Sequence, residues 1–241
     1  MDVEDLKQLS LPSTVESHKT LWQRCNNFVH HIRKECRSPK CRKRVYDREY
    51  KAKTNYESSM EYVNRLFEVT ARLNVVRIDL GYEKAYFAES GLANACADLD
   101  KLLNNRRSNK LFDELVGYIW KLEYGVHRGY HFDCVFFFDG SEVKKDTYYA
   151  DRIGKYWIRR ITAGAGAMFS CNAQKNKYRY CGIGMVDRRD LEKRKHLARA
   201  IQYLAKKEQY LRMRLVSRPR LFGRGKMPIL PVQKLGRPRE D

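Results

Sequence analysis

Two aromatic-rich runs lie at the centre of the chain, Gly117-Tyr-Ile-Trp-Lys-Leu-Glu-Tyr124 and Tyr130-His-Phe-Asp-Cys-Val-Phe-Phe-Phe138. Both contain many of the residue types that favour β-strands. The segment between them, Gly125-Val-His-Arg-Gly129, is short and begins and ends with glycine, as hairpin connections often do. The sequence therefore predicts an antiparallel β-hairpin.

One face of this hairpin concentrates groups that can bind a metal ion. If the turn is symmetric about His127, Glu123 lies directly across from His131, so that the two side chains share a face. Asp133 shares that face because side chains alternate along a strand, and Lys121 is its cross-strand neighbour. Such ligands suit Mg²⁺ or Mn²⁺. The alternative is a solvated face on which Lys121 pairs with Asp133.

Strands and helices are mixed along the rest of the chain. Alternation in Asn74-Val-Val-Arg-Ile-Asp-Leu80 predicts a half-exposed strand with Arg77 and Asp79 on the exposed side, and a further strand is expected at 178–186. Helical periodicity or composition predicts helices within 1–36 and at about 46–70, 92–114, 145–160 and 189–215. The predicted class is α+β, an antiparallel sheet with flanking helices.

The order of these predicted elements divides the chain into three regions: a helical N-terminal region at 1–70, a mixed domain at 71–216 and a tail at 217–241. The first region contains a predicted basic loop, Arg37-Ser-Pro-Lys-Cys-Arg-Lys-Arg44. The tail is basic and holds four of the six prolines, which predicts extended chain. Cysteines and histidines near the basic loop are spaced too loosely for the usual zinc pairs, so we expect reduced thiols there.

Tyrosines and basic residues share one side of the helix predicted at 189–215, away from its leucine-rich core stripe. Tyr203 and Tyr210 are seven residues apart and therefore lie on nearly the same side. Basic residues on that half of the helix are His196, Arg199, Lys206, Lys207 and Arg214. Cations can stabilise the phenolate form of a nucleophilic tyrosine and hold a phosphate beside it. The alternative is a basic helix that only binds the phosphate backbone, with the tyrosines stacking on bases.

Charge is the strongest compositional signal, because 49 Lys and Arg face 29 Asp and Glu and give a net charge of +20 over 241 residues. An excess of this size is relieved by a polyanion, most commonly nucleic acid. The sequence has no apolar run long enough to span a bilayer, and its acidic start is unlike a signal peptide. We expect a cytoplasmic protein that binds nucleic acid, without a membrane partner or a small-molecule cofactor.

Taken in order, these motifs resemble the inovirus gene-two-type replication proteins, also called YagK/YfjJ C-terminal-domain proteins. The resemblance covers about 70–230 and includes the strand motif Val75-Val-Arg-Ile-Asp-Leu80. The other matching motifs are Leu122-Glu-Tyr-Gly, Arg128-Gly-Tyr-His-Phe-Asp-Cys-Val-Phe-Phe-Phe-Asp-Gly-Ser141, Tyr178-Arg-Tyr-Cys-Gly-Ile-Gly-Met185 and Tyr203-Leu-Ala-Lys-Lys-Glu-Gln-Tyr-Leu-Arg212. Because that family is grouped with the HUH endonucleases, the resemblance implies an HUH-endonuclease-like fold for 71–216.

The resemblance also implies a function, rolling-circle replication initiation. Such an enzyme nicks and rejoins single-stranded DNA at a replication origin through a 5′-phosphotyrosine intermediate and uses Mg²⁺ or Mn²⁺; host replication proteins are further candidate partners. Carried over by position, the resemblance implies that the metal ligands are Glu123, His131 and Asp133. It implies Tyr203 as the nucleophile, Lys206 as its basic neighbour and Tyr210 as a candidate second tyrosine. The implied DNA-binding residues are Arg128, Arg199, Lys207 and Arg214.

One position departs from the family pattern, since Asp133 stands where a second histidine is general. Aspartate can ligate Mg²⁺ or Mn²⁺, so activity is compatible with the change. The main alternative function is a catalytically decayed, prophage-type protein that binds DNA or regulates through the same fold. A third alternative, an RNA-binding protein, rests on charge alone.

Overall fold

A computed structural model of the chain describes residues 15–87, 91–206 and 220–230. The chain forms two compact units, Met1–Tyr50 and Lys51–Asp241. The second unit includes residues 51–70 in addition to the domain predicted at 71–216. None of the helices in these described ranges combines the length and apolarity that a membrane span requires.

The first unit contains helix α1 (Val15–Arg37) and the beginning of α2 (Pro39–Val69). The basic loop predicted at 37–44 is wrong, because the chain is helical again from Pro39 onwards. The Ser38 Oγ accepts a hydrogen bond from the backbone N–H of Cys41 at 3.1 Å, as an N-terminal capping residue does. Proline fits the first helical position because it has no N–H to satisfy there.

The second unit is built on a six-stranded antiparallel sheet. Its strands are β1 (Arg72–Tyr82), β2 (Leu115–Gly125), β3 (Gly129–Asp139), β4 (Gly166–Ser170), β5 (Gly184–Asp187) and β6 (Phe222–Arg224). Their order is β4-β1-β3-β2-β6, and β5 pairs with the first residues of β1. The predicted α+β class is thereby confirmed. Residues 222–224, expected in the extended tail, instead pair with Ile119–Lys121 of β2.

Helices cover both faces of the sheet. The first face packs against α3 (Leu92–Asn105), α4 (Asp146–Tyr156) and the π-helical turn Trp157–Ile161. The second face packs against the second half of α2 and against α5 (Leu191–Ala205). Apolar side chains of β1 and β3 are buried on both faces for this reason. The half-exposed strand expected at 74–80 is confirmed in part: Val76, Ile78 and Leu80 are buried, while Arg77 and Asp79 on the other face are partly exposed. Val75 on that second face is buried in the core that α2 and α5 cover.

Two of the sequence-based elements are shorter than expected. Strand β5 begins only at Gly184, after an irregular segment at 178–183. Helix α5 ends at Ala205 because Lys206 leaves the helical conformation with ψ 160°. The rest of the predicted helix lies outside the described residues. The core stripe of α5 is confirmed by Leu197, Ile201 and Leu204, which are buried.

Gly182 controls how closely the irregular segment approaches α5. A Cβ at this position would collide with backbone atoms of His196 and Leu197. We expect Gly182→Ala to lower the free energy of unfolding by roughly 1–3 kcal/mol, because backbone atoms of a helix cannot rotate out of the way.

Gly91→Ala is the matched control, since a Cβ there meets nothing within 4 Å. Chemical denaturation monitored by circular dichroism measures both variants. Equal stability of the two would contradict the close packing at Gly182.

Candidate metal centre and adjoining tyrosine

The predicted register of the central hairpin is confirmed. Glu123 is paired with His131 and Lys121 with Asp133, while the turn closes between Gly125 and Gly129. One ligand atom from each of Glu123, His131 and Asp133 lies within 4.8 Å of the others. Within the described ranges, this is the group of His, Cys, Asp and Glu side chains whose spacing could hold a metal ion.

The alternative of a solvated face is wrong for this cluster. His131 and Asp133 are each only 4% exposed, and Lys121 is 2% exposed. The Lys121 ammonium does not bond Asp133 but donates to the Glu123 Oε1 at 2.7 Å and to the Lys206 backbone carbonyl at 3.1 Å. The cluster is therefore the buried floor of a site, with Glu123 at its more open side.

The ring of His131 is held in one orientation. Its Nδ1 lies 3.1 Å from the Gly129 carbonyl oxygen, and because a carbonyl only accepts, Nδ1 carries the proton. Burial lowers the pKa of His131 and so favours the neutral ring. The remaining nitrogen, Nε2, then presents a lone pair 3.8 Å from the Glu123 Oε2. Imidazoles that bind metals are held in this way by a hydrogen bond from the other ring nitrogen.

A third carboxylate lies on the same face. Asp79 of β1 is paired with Asp133 of β3 and accepts a hydrogen bond from the Arg128 Nη2 at 3.0 Å. Burial, together with the like charges of Asp79 and Glu123, raises the pKa of Asp133 to about 7. Burial acts in the same direction on Glu123, but the Lys121 ammonium outweighs it and lowers the pKa of Glu123. The three carboxylates form an anionic centre that a divalent cation would stabilise.

Tyr203 stands at the rim of this face, at the end of α5. The residue is 50% exposed. Two cations lie close to its ring: the Lys206 Nζ is 3.7 Å from the ring centre and the Arg77 Cζ is 5.0 Å from it. Because Lys206 also accepts the Lys121 hydrogen bond through its carbonyl, this end of α5 is tied directly to β2.

The predicted DNA-binding residues have different surroundings. Arg128 extends over the carboxylate face as the partner of Asp79. Arg199 lies on the exposed side of α5, where its Cζ is 3.9 Å from the ring centre of Tyr180. Three other predicted site residues lie outside the described residues: Lys207, Tyr210 and Arg214.

Two residues beside the site were not predicted as part of it, Arg77 and Asp79. The available signal was their position on one face of an alternating strand, which placed them correctly relative to each other. No local sequence pattern indicated which strand pairs with β1. Only the pairing of β1 with β3 brings Asp79 opposite Asp133, and these residues are far apart in sequence.

The model of the YagK/YfjJ C-terminal domain family matches residues 37–225, a span that contains α2 to β6 and the site described above. Comparisons with curated proteins and with solved structures yield no significant match.

The raised pKa of Asp133 predicts a specific pH dependence of stability. Its pKa is about 7 in the folded protein and 3.8 in the reference state, so the folded state binds the extra proton between these values. The stabilising contribution of this proton is present at low pH and is lost as the pH rises through about 7. In the presence of a chelator, we expect Asp133→Asn to gain thermal stability relative to wild type as the pH rises from about 5 to about 8.

Differential scanning calorimetry at both pH values checks this expectation. Asp151→Asn on α4 is the matched control, because that side chain lies outside the carboxylate cluster and is 43% exposed. A constant stability difference between Asp133→Asn and wild type at the two pH values would contradict the assignment.

Proposed function

The chain belongs to the YagK/YfjJ C-terminal domain family, and from this premise we propose that it is a rolling-circle replication initiator of the inovirus gene-two type. In this proposal it is a tyrosine-dependent DNA endonuclease and strand transferase with an HUH-type site. The observation that carries the proposal is the link between two groups on one face of the sheet, the triad Glu123, His131 and Asp133 and the pair Tyr203 and Lys206. The Lys121 ammonium joins them, because it donates both to Glu123 and to the Lys206 carbonyl. The substrate is single-stranded DNA, to which the net charge of +20 is suited.

The triad fits a divalent ion with hard or borderline preferences. Two carboxylates and a neutral imidazole with a free Nε2 are ligands that Mg²⁺ and Mn²⁺ accept, and no cysteine belongs to the set. Burial raises the pKa of Asp133, and the like charges of Asp79 and Glu123 raise it further; a bound cation would stabilise the ionised carboxylate against both effects. Such an ion would polarise the scissile phosphate.

The chain's own residues supply the rest of the chemistry. The Tyr203 oxygen forms a bond to phosphorus, and the bond from phosphorus to the 3′ oxygen of the preceding nucleotide breaks. The hydroxyl proton of Tyr203 passes to a base, and the departing 3′ oxygen takes up a proton, so the exchange is redox-neutral. Lys206 and Arg77 place positive charge beside the phosphate during this transfer. The product keeps a 5′-phosphotyrosine bond, from which the strand can be rejoined.

A second candidate, a decayed protein that binds DNA without cutting it, is favoured by two observations. Asp133 stands at the place where the family pattern has a histidine, and the Lys121 ammonium occupies one oxygen of Glu123. Both features could weaken metal binding, and the following experiments separate the two candidates.

Metal binding is expected to strengthen with pH, because the Asp133 carboxyl must lose its proton to act as a ligand. We expect Mn²⁺ to bind more tightly at about pH 8 than at about pH 6. Replacement of the imidazole in His131→Asn should weaken binding at least about tenfold. Isothermal titration calorimetry with Mn²⁺ measures this, with His196→Asn on α5 as the control. Equal affinity in all three proteins would exclude the triad as the metal site.

The nicking reaction is tested with single-stranded oligonucleotides that tile the DNA flanking the coding sequence, in the presence of Mn²⁺. A 3′ label should become attached to the protein, whereas a 5′ label should appear in a shortened strand that a polymerase can extend. Tyr203→Phe should abolish the adduct while DNA binding is kept, because only the hydroxyl is removed.

Tyr148→Phe on α4 is the matched control, since Tyr148 and Tyr203 are similarly exposed, at 53% and 50%. An undiminished adduct in Tyr203→Phe would exclude this nucleophile. Absence of any adduct in wild type, with cleavage gained by Asp133→His, would identify the decayed form instead.

A further inference from the structure

A cavity of about 440 Å³ lies between α2 and the segment 220–225. On the helix side it is lined by Lys51, Asn55 and Ser58, whose spacing of four and three residues places them on one face of α2. On the other side it is lined by Arg220, Leu221, Phe222, Gly223, Arg224 and Gly225. Three cations and no carboxylate line this cleft, which we name the α2–β6 cleft.

The segment that closes the cleft lies very near the core. A Cβ at Gly223 would come within 2.7 Å of the Trp120 ring, and one at Gly225 would collide with the Tyr62 hydroxyl. Glycine at both positions therefore allows the segment to lie flat against β2 and α2. The Gly225 N–H also donates to the Tyr118 carbonyl at 2.9 Å, so the segment is held in place on both sides of β6.

The guanidinium of Arg224 is held in a fixed orientation. Its Nε donates to the Ser58 Oγ at 3.1 Å, its Nη1 donates to the Gly225 carbonyl at 3.2 Å, and its Cζ lies 5.1 Å from the ring centre of Tyr62. Arg220 is exposed, and its Nε donates to the Phe222 carbonyl at 2.9 Å. Fixed guanidinium groups suit phosphate recognition, because little side-chain entropy is lost when a phosphate binds.

The cleft begins beside the candidate metal centre. Phe222 of β6 is paired with Lys121 of β2, and the Lys121 ammonium donates to Glu123 of the triad. Arg224, which also lines the cleft, is paired with Ile119, four residues along β2 from Glu123, so the two positions are roughly 13 Å apart along the strand. Arg224 and the triad also lie on the same face of the sheet, the one that packs against α2 and α5.

We propose that the α2–β6 cleft is a second nucleic-acid subsite, which holds the sugar-phosphate backbone of the single strand next to the bond positioned at the triad. The placement of the scissile bond rests on the proposed function, whereas the preference of the cleft for a polyanionic strand rests on its own three cations. An acidic peptide is the other polyanion that such a lining could take, and the experiment includes it.

The central test is Asn55→Asp, a nearly isosteric change that adds one negative charge inside the cleft. Fluorescence anisotropy of a labelled 20-nucleotide single strand, in a chelator and over a range of salt concentrations, measures binding to the full chain. We expect affinity to fall about fivefold at 0.1 M salt, as for the loss of one phosphate contact. The melting temperature should stay equal or rise, because the new carboxylate relieves repulsion among the cations, so misfolding cannot explain the loss.

The double variant Lys51→Gln/Arg220→Gln removes two charges from the cleft. We expect the slope of log affinity against log salt to decrease by about 1.4, or about 0.7 for each phosphate contact. The matched control is Lys144→Gln/Arg159→Gln, which removes the same charge from exposed positions near α4, on the other side of the sheet. The control should lose clearly less affinity.

Equal losses in the double variant and its control, or unchanged binding in Asn55→Asp, would overturn the subsite. So would competition by poly-glutamate of equal charge that is stronger than competition by the oligonucleotide. The covalent-adduct assay separates this proposal from the proposed function. If wild type forms the adduct and the cleft variants bind DNA as tightly as wild type, only the proposed subsite is excluded. If DNA binding depends on the cleft but no adduct forms, only the proposed nicking function is excluded.

Discussion

A buried ammonium must be surrounded by acceptors, and the arrangement around Lys121 follows from that requirement. Lys121 is 2% exposed, so the loss of hydration has to be offset by the Glu123 carboxylate and by the Lys206 carbonyl. The carbonyl comes from the end of α5, where the helix presents unpaired acceptors and partial negative charge. One side chain on β2 thus connects a ligand of the candidate metal centre to the helix that carries Tyr203. Together with the contact of Arg77 on β1 with the Tyr203 ring, this connection holds the end of α5 against the sheet beside the site.

The other side chains on this face differ in burial. His131 and Asp133 form a dry floor, where charges interact strongly, while Tyr203 and Arg128 stand at a wetter rim. The side chains at the rim are therefore accessible from solvent, whereas those of the floor are not. The end of α5 at Ala205 makes the contact with Lys121 possible. If the helix continued past Ala205 in the same direction, the Lys206 carbonyl would be used within the helix and would not be available to Lys121.

Local sequence patterns predicted the parts of this site that depend on local geometry. Glycines at 125 and 129 set the hairpin register, which placed Glu123 opposite His131, and the period of α5 separated its leucines from Tyr203. Burial of the face was not predictable in this way, because it depends on which helices return to cover the sheet. The Asp79–Asp133 pairing depends on the strand order, and β6 is a three-residue strand whose composition resembles a basic tail. The sequence of β6 supplies too few residues for a period-two pattern to be detected.

The aspartate that departs from the family pattern is better understood from the charges around it than from its position alone. Lys121 offsets the charge of Glu123, and Arg128 offsets that of Asp79. A neutral imidazole in place of Asp133 would remove one of the three negative charges of this face, while Arg77 and Lys206 would still contribute positive charge beside it. An ionised Asp133 adds a negative charge, and burial, together with the like charges of Asp79 and Glu123, raises its pKa toward neutrality. The charge state of Asp133 therefore depends on all the charged groups on this face, which a comparison of motifs at one position does not include.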